Sequence, residues 1–396
     1  MHTSALTTSL DDTLTAELSA LRARGLERSL RTVGRRHGAA VETTKGSAVD
    51  FSSNDYLGLA SDERLIAAAT RALHEHGVGA TASRLIGGNG PEHEALDVAV
   101  AEFFGAERAL SFSSGYAANV GIIPALVGGE DVIFADALNH ASLIDGCRLS
   151  RATVHVYPHA DADALESMLD ARRVSARRAL IVTDGVFSMD GDNAPLARIV
   201  ELAQRFDAWT YLDDAHAVGV IGEGGRGSAS VAGIHGEVDV TVGTLGKAFG
   251  AAGAFAYGSA ALCGYLLNRA RSFVFSTGML PAQAAAAREA IRIAGTEPER
   301  RERVLANARQ LRAALRSAGV EPVGDDTAHI VPVLVGDAER TMQIGAALAE
   351  CGFLVGAVRP PTVPEGTSRL RITACAAHTD AQIRDLAGAL AASIRE

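Results

Sequence analysis

Lysine is almost missing from this sequence. The 396-residue chain has 37 basic residues, yet only Lys45 and Lys247 are lysine. Cysteine is scarce too, and Cys147, Cys263, Cys351 and Cys375 are scattered with no C-x-x-C spacing. That pattern excludes a disulfide framework and a cysteine-ligated zinc and reads all four as small core residues; no metal site is expected. No apolar run approaches the ~18 residues of a membrane span. The opening stretch, "MHTSALTTSLDDTLTAELSALRARG", lacks the basic start and apolar core of a leader. A cytoplasmic protein with no membrane partner is expected. Basic charge is in deficit: 47 acidic residues give a net charge of -10, which argues against a nucleic-acid partner.

What is present is a long, apolar chain rich in glycine. At 396 residues it exceeds what one hydrophobic core usually supports, so two domains are expected. Apolar runs at 108–112, 131–135, 153–157, 179–183, 208–213, 238–243 and 253–258 read as strands, several covered on both faces. Helical patterns start at Pro91 and near Gly115, and recur at 140–149, 161–171 and 195–206. The alternation predicts an α/β fold with a mostly parallel sheet. A charged helix over 297–318 leads to a smaller α/β pattern: strands at 329–336, 353–358 and 369–374, helices at 338–350 and 379–394. The expected division is an arm with an amphipathic helix (10–32) in residues 1–50, a large unit over 51–295 and a small unit over 296–396.

Seven stretches are candidates for chemistry. In "TLGKAFGAAG" (244–253), Lys247 follows an apolar strand among small residues, where partial burial favours the neutral amine that imine chemistry needs. The alternatives are a surface lysine and a P-loop; the latter fails because Thr241 and Ala248 stand where glycine and Ser/Thr are required. In "YLDDAHAVG" (211–219), Asp213, Asp214 and His216 lie at a strand end, where α/β ligands bind. A carboxylate there suits a protonated pyridine nitrogen, a metal or a helix cap. "SFSSGYAANVG" (111–121) places Ser114 and Gly115 at a helix start, a place for an anion or an ordinary cap. His140 heads a helix, either as a stacking ring or as a cap, and Ser188 and Asp190 sit in the loop "DGVFSMDGD". Arg359, Arg369 and Arg371 bracket a proline-stiffened loop and suit carboxylate recognition, or form a solvated basic face. "GEGGRG" (222–227) matches G-x-G-x-x-G but precedes a poor helix, so it reads as a flexible glycine loop.

Taken together, "NDYLGL", "GVFSMDGD", "DDAHAVG", "TLGKAFG" and "RPPTVPEGTSRLR" resemble the α-oxoamine synthases, a branch of the fold-type-I pyridoxal-phosphate enzymes. The likeness runs from about residue 20 to the C-terminus. It implies a fold-type-I transferase: a large domain with a mostly parallel seven-stranded sheet, plus a smaller C-terminal α/β domain. It implies pyridoxal 5'-phosphate as cofactor and a homodimer with shared active sites. It also implies condensation of an amino acid with an acyl thioester of coenzyme A or acyl carrier protein. Within that resemblance, the runs "RPPTVP" and "GVFSMDGDNAPL" favour the branch that condenses L-alanine with a pimeloyl thioester, and glycine and serine stay open as the amino acid.

Residue by residue, the resemblance makes Lys247 the imine-forming lysine, pairs Asp213 with the pyridine nitrogen, and brings His216 to the phenolic oxygen. His140 stacks on the ring. Ser114, Gly115, Tyr116, Ser188 and Thr244 line the cofactor site, and Ser276 and Thr277 come to it from the partner subunit. Arg371, in preference to Arg369, binds the amino-acid carboxylate, while Arg28, Asn54, Arg359 and Thr362 contact substrate. One departure is Ala82 in "GATASRLIGGN", where a further glycine is expected; it puts the conformation of that turn in question.

Overall fold

The computed structural model describes residues 9–395. Residues 1–8, where the stretch inspected for a leader begins, lie outside the described residues. Seven strands form the central sheet: β1 (Arg108–Phe112), β2 (Val132–Asp136), β3 (Thr153–Tyr157), β4 (Ala179–Asp184), β5 (Trp209–Asp213), β6 (Val240–Thr244) and β7 (Ala254–Gly258). Across the sheet they run β1-β7-β6-β5-β4-β2-β3, with β7 antiparallel to both its neighbours and the strands from β6 to β3 parallel.

Strands β2, β4 and β6 are buried at every position because helices cover both faces. Alternate residues feed different cores. Ile133, Leu180, Val182 and Tyr211 pack with Ile122 and Leu143 on one face. Val132, Phe134, Ile181 and Leu212 pack with Leu165 and Ile199 on the other. This period of two locks register, since a one-residue slip would exchange the faces.

The helices Gly115–Leu126, Ala141–Leu149, Ala162–Arg172 and Leu196–Arg205 fill the crossovers. Parallel crossovers bring the carboxyl ends of β2, β4, β5 and β6 to one edge, each ending in a polar residue: Asp136, Asp184, Asp213 and Thr244. That edge carries the chemistry discussed below.

The helix Pro298–Ser317 leads to a three-stranded antiparallel sheet in which Ser368–Thr373 lies between Ile330–Gly336 and Gly356–Val358. Two sequence expectations change here. The run 353–358 is two strands: Phe353–Leu354 pairs with Gly46–Asp50, while Gly356–Val358 pairs with Ser368–Thr373. The N-terminal arm is thereby stitched to the C-terminal sheet, a long-range pairing with no local signal. The leading helix spans Leu10–Ala23, shorter than expected, because Gly25 takes a left-handed conformation (φ 66°) just past its end.

The turn around Ala82 is resolved by geometry. The positive φ falls on Thr81 (62°), and the Ala82 carbonyl accepts from the Gly278 N–H at 3.0 Å. Glycine is instead required at Gly88, where a Cβ would lie 1.9 Å from the Ala82 carbonyl oxygen.

Candidate active site

The two lysines have opposite fates. Lys45 is exposed and pairs with Glu350 at the surface. Lys247 sits in the turn after β6, and its Nζ lies 2.9 Å from His216 Nε2, its one hydrogen-bond partner among the described residues. Burial of the amine pushes its pKa down to about 8, with the Asp213 carboxylate opposing and the Arg371 guanidinium reinforcing the shift. His216 is held well below the usual imidazole range, first by burial and then by Lys247 and Arg371, so it remains neutral. Its other nitrogen, Nδ1, lies 2.7 Å from the Tyr56 hydroxyl.

Asp213 ends β5 beside this pair. Its Oδ2 accepts from Asn119 Nδ2 at 2.6 Å and its Oδ1 from the Ala215 N–H at 3.0 Å. The Asn119 amide oxygen in turn accepts from the Tyr211 hydroxyl at 2.7 Å, which fixes the orientation of the amide. Asp184, at the end of β4, accepts from the His140 N–H at 2.7 Å. Burial, then the neighbouring Asp213 charge, raises the Asp184 carboxyl well above its ordinary value. Asp184 is thus driven toward its protonated form. Asp214 is fully buried and raised to about 7 by desolvation, and it accepts from the Ser228 N–H at 2.9 Å. It is a brace inside the turn.

"GEGGRG" is a packed loop that does not follow a strand into a helix as a dinucleotide site would. Gly219 N–H donates to the Gly225 carbonyl at 2.8 Å, and a Cβ on Gly227 would lie 1.9 Å from Asp214 Oδ2. Its positive-φ glycines let it close over the Asp214 carboxyl.

Above these buried groups the site is open. Ser114, Tyr116 and His140 are exposed. Ser114 caps the helix Gly115–Leu126 by accepting from the Ala117 N–H at 3.1 Å. A Cβ on Gly115 would meet nothing within 4 Å, so the helix start faces free space. The Tyr116 hydroxyl donates to Asp145 at 2.7 Å. His140 Nδ1 lies 2.7 Å from the Ser142 hydroxyl. The Thr244 hydroxyl donates to the Gly253 carbonyl at 3.0 Å and accepts from the Gly246 N–H at 3.2 Å, bracing the lysine turn.

Arg371 enters from the C-terminal sheet. It reaches Asn54 Oδ1 (3.1 Å), the Tyr56 hydroxyl (3.5 Å) and the Ser188 carbonyl, and makes no salt bridge among the described residues. Arg369 shares its strand face but is spent on an ion pair with Asp190. The geometry therefore separates the two arginines that sequence spacing left together.

Arg28, Arg359 and Thr362 form a group of their own: Arg28 donates to the Thr362 hydroxyl at 3.0 Å and Arg359 to the Glu27 carbonyl at 2.8 Å. Among the described residues Ser276 and Thr277 have no hydrogen bond to the Lys247 centre; Thr277 pairs with Ser83 in an isolated bridge. A separate cavity of about 760 Å³, lined by Trp209, Val240 and Tyr257 among others, lies at the opposite edge and holds none of the site residues.

Sequence reading missed Tyr56, Asn119, Asp184 and His329. Asp184 had a usable signal, the same strand-end position as Asp213. Asn119 is a buried amide in an otherwise apolar helix. Tyr56 and His329 are made neighbours only by folding, with ring centroids 4.2 Å apart.

The loop carrying Ser188 is tethered by His159, whose Nδ1 lies 3.0 Å from Asp136 and Nε2 2.7 Å from Asp192. These two carboxylates raise the His159 pKa from 6.5 to about 10. Because the folded value lies above the unfolded one, the imidazolium stabilises the fold fully below pH 6.5, and the gain fades as pH rises toward about 10. Denaturant unfolding of wild type and His159→Gln should therefore differ most at pH 6 and converge by about pH 10. A pH-independent difference would refute the ion-pair account.

The aminotransferase class I and II family model matches residues 47–390. The 8-amino-7-oxononanoate synthase of Geobacter sulfurreducens is 49% identical over 380 residues, covering 96% of this chain and 97% of that protein. The synthase of the same name from Anaeromyxobacter dehalogenans is 48% identical over 381 residues, covering 96% and 95%. The chain belongs to the α-oxoamine synthases of the aminotransferase class I and II family. A serine palmitoyltransferase from S. paucimobilis, solved with bound PLP-myriocin, superposes with a TM-score of 0.92 at 31% identity, over 98% of this chain and 99% of that one.

The cofactor of this α-oxoamine synthase is pyridoxal 5'-phosphate, and the donor set fits it. A primary amine of lowered pKa has no carboxylate hydrogen-bonded to it among the described residues, a strand-end carboxylate is fixed by amide donors, and a helix start opens on free space. These suit the aldehyde, the ring nitrogen and the phosphate respectively.

Proposed function

We propose that this α-oxoamine synthase is an 8-amino-7-oxononanoate synthase. It condenses L-alanine with a pimeloyl thioester, of coenzyme A or a carrier protein, and releases the thiol and carbon dioxide. The Lys247–His216 pair beside Asp213 carries the chemistry of this reading, and the identity of about half the residues with synthases of that name supports the substrate assignment.

We assign Lys247, Asp213, His216 and His140 to catalysis. Asp213, His140, His216, Ser188 and Thr244, with Ser114, Gly115 and Tyr116 at the open helix start, hold the cofactor. When bound, pyridoxal phosphate supplies an electron sink that acidifies the Cα–H of the amino acid. Arg371 and Asn54 bind the alanine carboxylate and orient Cα. Lys247 Nζ, uncharged for a useful fraction of molecules near neutrality, takes the Cα proton and later returns one to the product. Neutral His216 accepts from the lysine without adding charge, and Asn119 keeps Asp213 fixed as an acceptor. Arg28, Arg359 and Thr362 receive the acyl donor.

A homodimer is part of the proposal. Leu10, Leu14, Leu18 and Leu21 form an uncovered stripe on the first helix, 73%, 45%, 50% and 39% exposed. Phe275, beside Ser276 and Thr277, is 72% exposed. A second copy covers such surfaces and brings Ser276 and Thr277 to its partner's site. The division at residue 295 is carried forward in the same proposal, with the arm docked on the small domain. Cys147, Cys263 and Cys375 are buried, but Cys351 at a helix end is exposed and is not a core residue; four free cysteines suit a cytoplasmic location, and no helix among the described residues is long and apolar enough to cross a membrane.

The alternatives within the family are glycine C-acetyltransferase, 5-aminolevulinate synthase and serine palmitoyltransferase activities. A thiol-release assay decides between them by crossing alanine, glycine and serine with pimeloyl, acetyl, succinyl and palmitoyl thioesters. The expected result is the highest kcat/KM for alanine with the pimeloyl donor; a preference for any other pair overturns the assignment.

A further inference from the structure

His329 is the group at this centre for which the mechanism above has no use. It is fully buried, and neither ring nitrogen has a hydrogen-bond partner among the described residues. Its ring meets Tyr56 in an edge-on contact, centroids 4.2 Å apart and planes at 72°. Tyr56 is the junction of the site: its hydroxyl touches His216 Nδ1 (2.7 Å), Asn54 Oδ1 (3.1 Å) and Arg371 (3.5 Å). Tyr56 is fully buried, and of the two rings packed against it His329 lies nearer, at 4.2 Å against 6.2 Å for His216, so it limits tilting and sliding of the phenol.

His329 itself is clamped. Arg312, only 2% exposed, donates Nη1 to the Ala328 carbonyl (2.6 Å) and Nη2 to the Ile330 carbonyl (2.9 Å), the residues on either side of His329. A buried guanidinium with both terminal nitrogens on backbone carbonyls, and its Nε 3.4 Å from Asp326, is a fork held at each arm. The groups facing His329 are cationic or neutral: Arg371, Arg312 and Lys247, with the backbone of His216. Burial and these cations keep its ring uncharged, so it packs as a neutral plane.

We propose that His329 is a positioning residue for the Lys247 centre. Its clamped ring sets Tyr56, and Tyr56 sets both the His216 imidazole that holds the lysine amine and the Arg371 guanidinium that takes the substrate carboxylate. The small C-terminal domain thereby fixes the geometry of a lysine carried by the large one. This rests on Lys247 being the reactive amine.

The test is a double-mutant cycle in the pyridoxal-phosphate-loaded enzyme, using His329→Leu, His329→Phe, Tyr56→Phe and the paired variants. His329→Leu should lower kcat/KM for the amino acid by roughly 100-fold, the scale of a misplaced reacting group. It should also move the pH midpoint of the holoenzyme's visible absorbance. His329→Phe, which restores a flat ring, should recover most of both. In the Tyr56→Phe background, where the hydroxyl is gone, His329→Leu should cost less than about threefold more, because the two act as one unit. Costs that multiply independently overturn the proposal, as does a phenylalanine variant no better than leucine, or a leucine variant with wild-type kinetics and pH midpoint. If the leucine variant does not accumulate, His329→Gln takes its place in the cycle with the same criteria. The functional reading fails separately, by a wild-type protein that gives no visible band with pyridoxal phosphate.

Discussion

Lys247→Ala should reduce turnover by ~10,000-fold or more and remove the visible absorbance of the pyridoxal-phosphate-loaded protein. Two functions disappear with one side chain: the amine that joins the cofactor aldehyde and the base that handles the Cα proton. No neighbour replaces either. His216 keeps Tyr56 at Nδ1, cannot form an imine through the Nε2 that the substitution frees, and is a poor base because burial holds its pKa well below the usual imidazole range. The only other lysine, Lys45, is at the surface with Glu350. The variant should fold, because a buried amine whose pKa falls to about 8 is costly to enclose and alanine removes that cost. Thermal unfolding of the cofactor-free variant at or above the wild-type midpoint would agree with this. Retained turnover would refute the assignment of Lys247.

Arg371→Leu should raise KM for the amino acid by roughly 100-fold while leaving the visible absorbance of the loaded enzyme in place. Removing one partner of a buried charge-assisted contact costs about 2–5 kcal/mol, or roughly 30- to 5,000-fold. Arg371 is 7% exposed and has no carboxylate in reach among the described residues, so its charge is available to a substrate. Arg369 cannot take over, since Asp190 neutralises it. Arg371→Lys should recover only part of the loss, because an ammonium cannot reproduce the planar fork. Steady-state kinetics at saturating thioester measure this directly. An unchanged KM would move carboxylate recognition to the separate group of Arg28, Arg359 and Thr362.

Much of the fold was legible because its signals are local. The seven apolar runs became seven strands, and the helix starts at Pro91 and Gly115 became helices Pro91–Phe104 and Gly115–Leu126. Each rests on periodicity or on a residue with restricted backbone freedom, and neither depends on distant contacts. The failure at 353–358 has a non-local cause. The run 353–358 divides because half of it pairs with Gly46–Asp50, some 300 residues away in sequence, and the other half with Ser368–Thr373. The concern over Ala82 dissolved because the left-handed residue is its neighbour Thr81.

At the site, sequence by itself determined which residue types stand at the strand ends: a lysine after β6, acids ending β4 and β5, a capped helix after β1. Strand-end position is fixed by apolar patterning, so these groups were bound to share one edge. The tertiary structure alone decided their chemical state. Lys247 has a lowered pKa because folding surrounds its amine with protein and leaves it a neutral imidazole for company. Asp184 is raised because folding buries its carboxyl beside that of Asp213, while the Asn119 amide, from a helix that follows another strand, reaches Asp213. Arg371 is free and Arg369 is not because Asp190 lies beside only one of them. Charge and desolvation act through space over a few ångströms, and those distances exist only once the chain has folded.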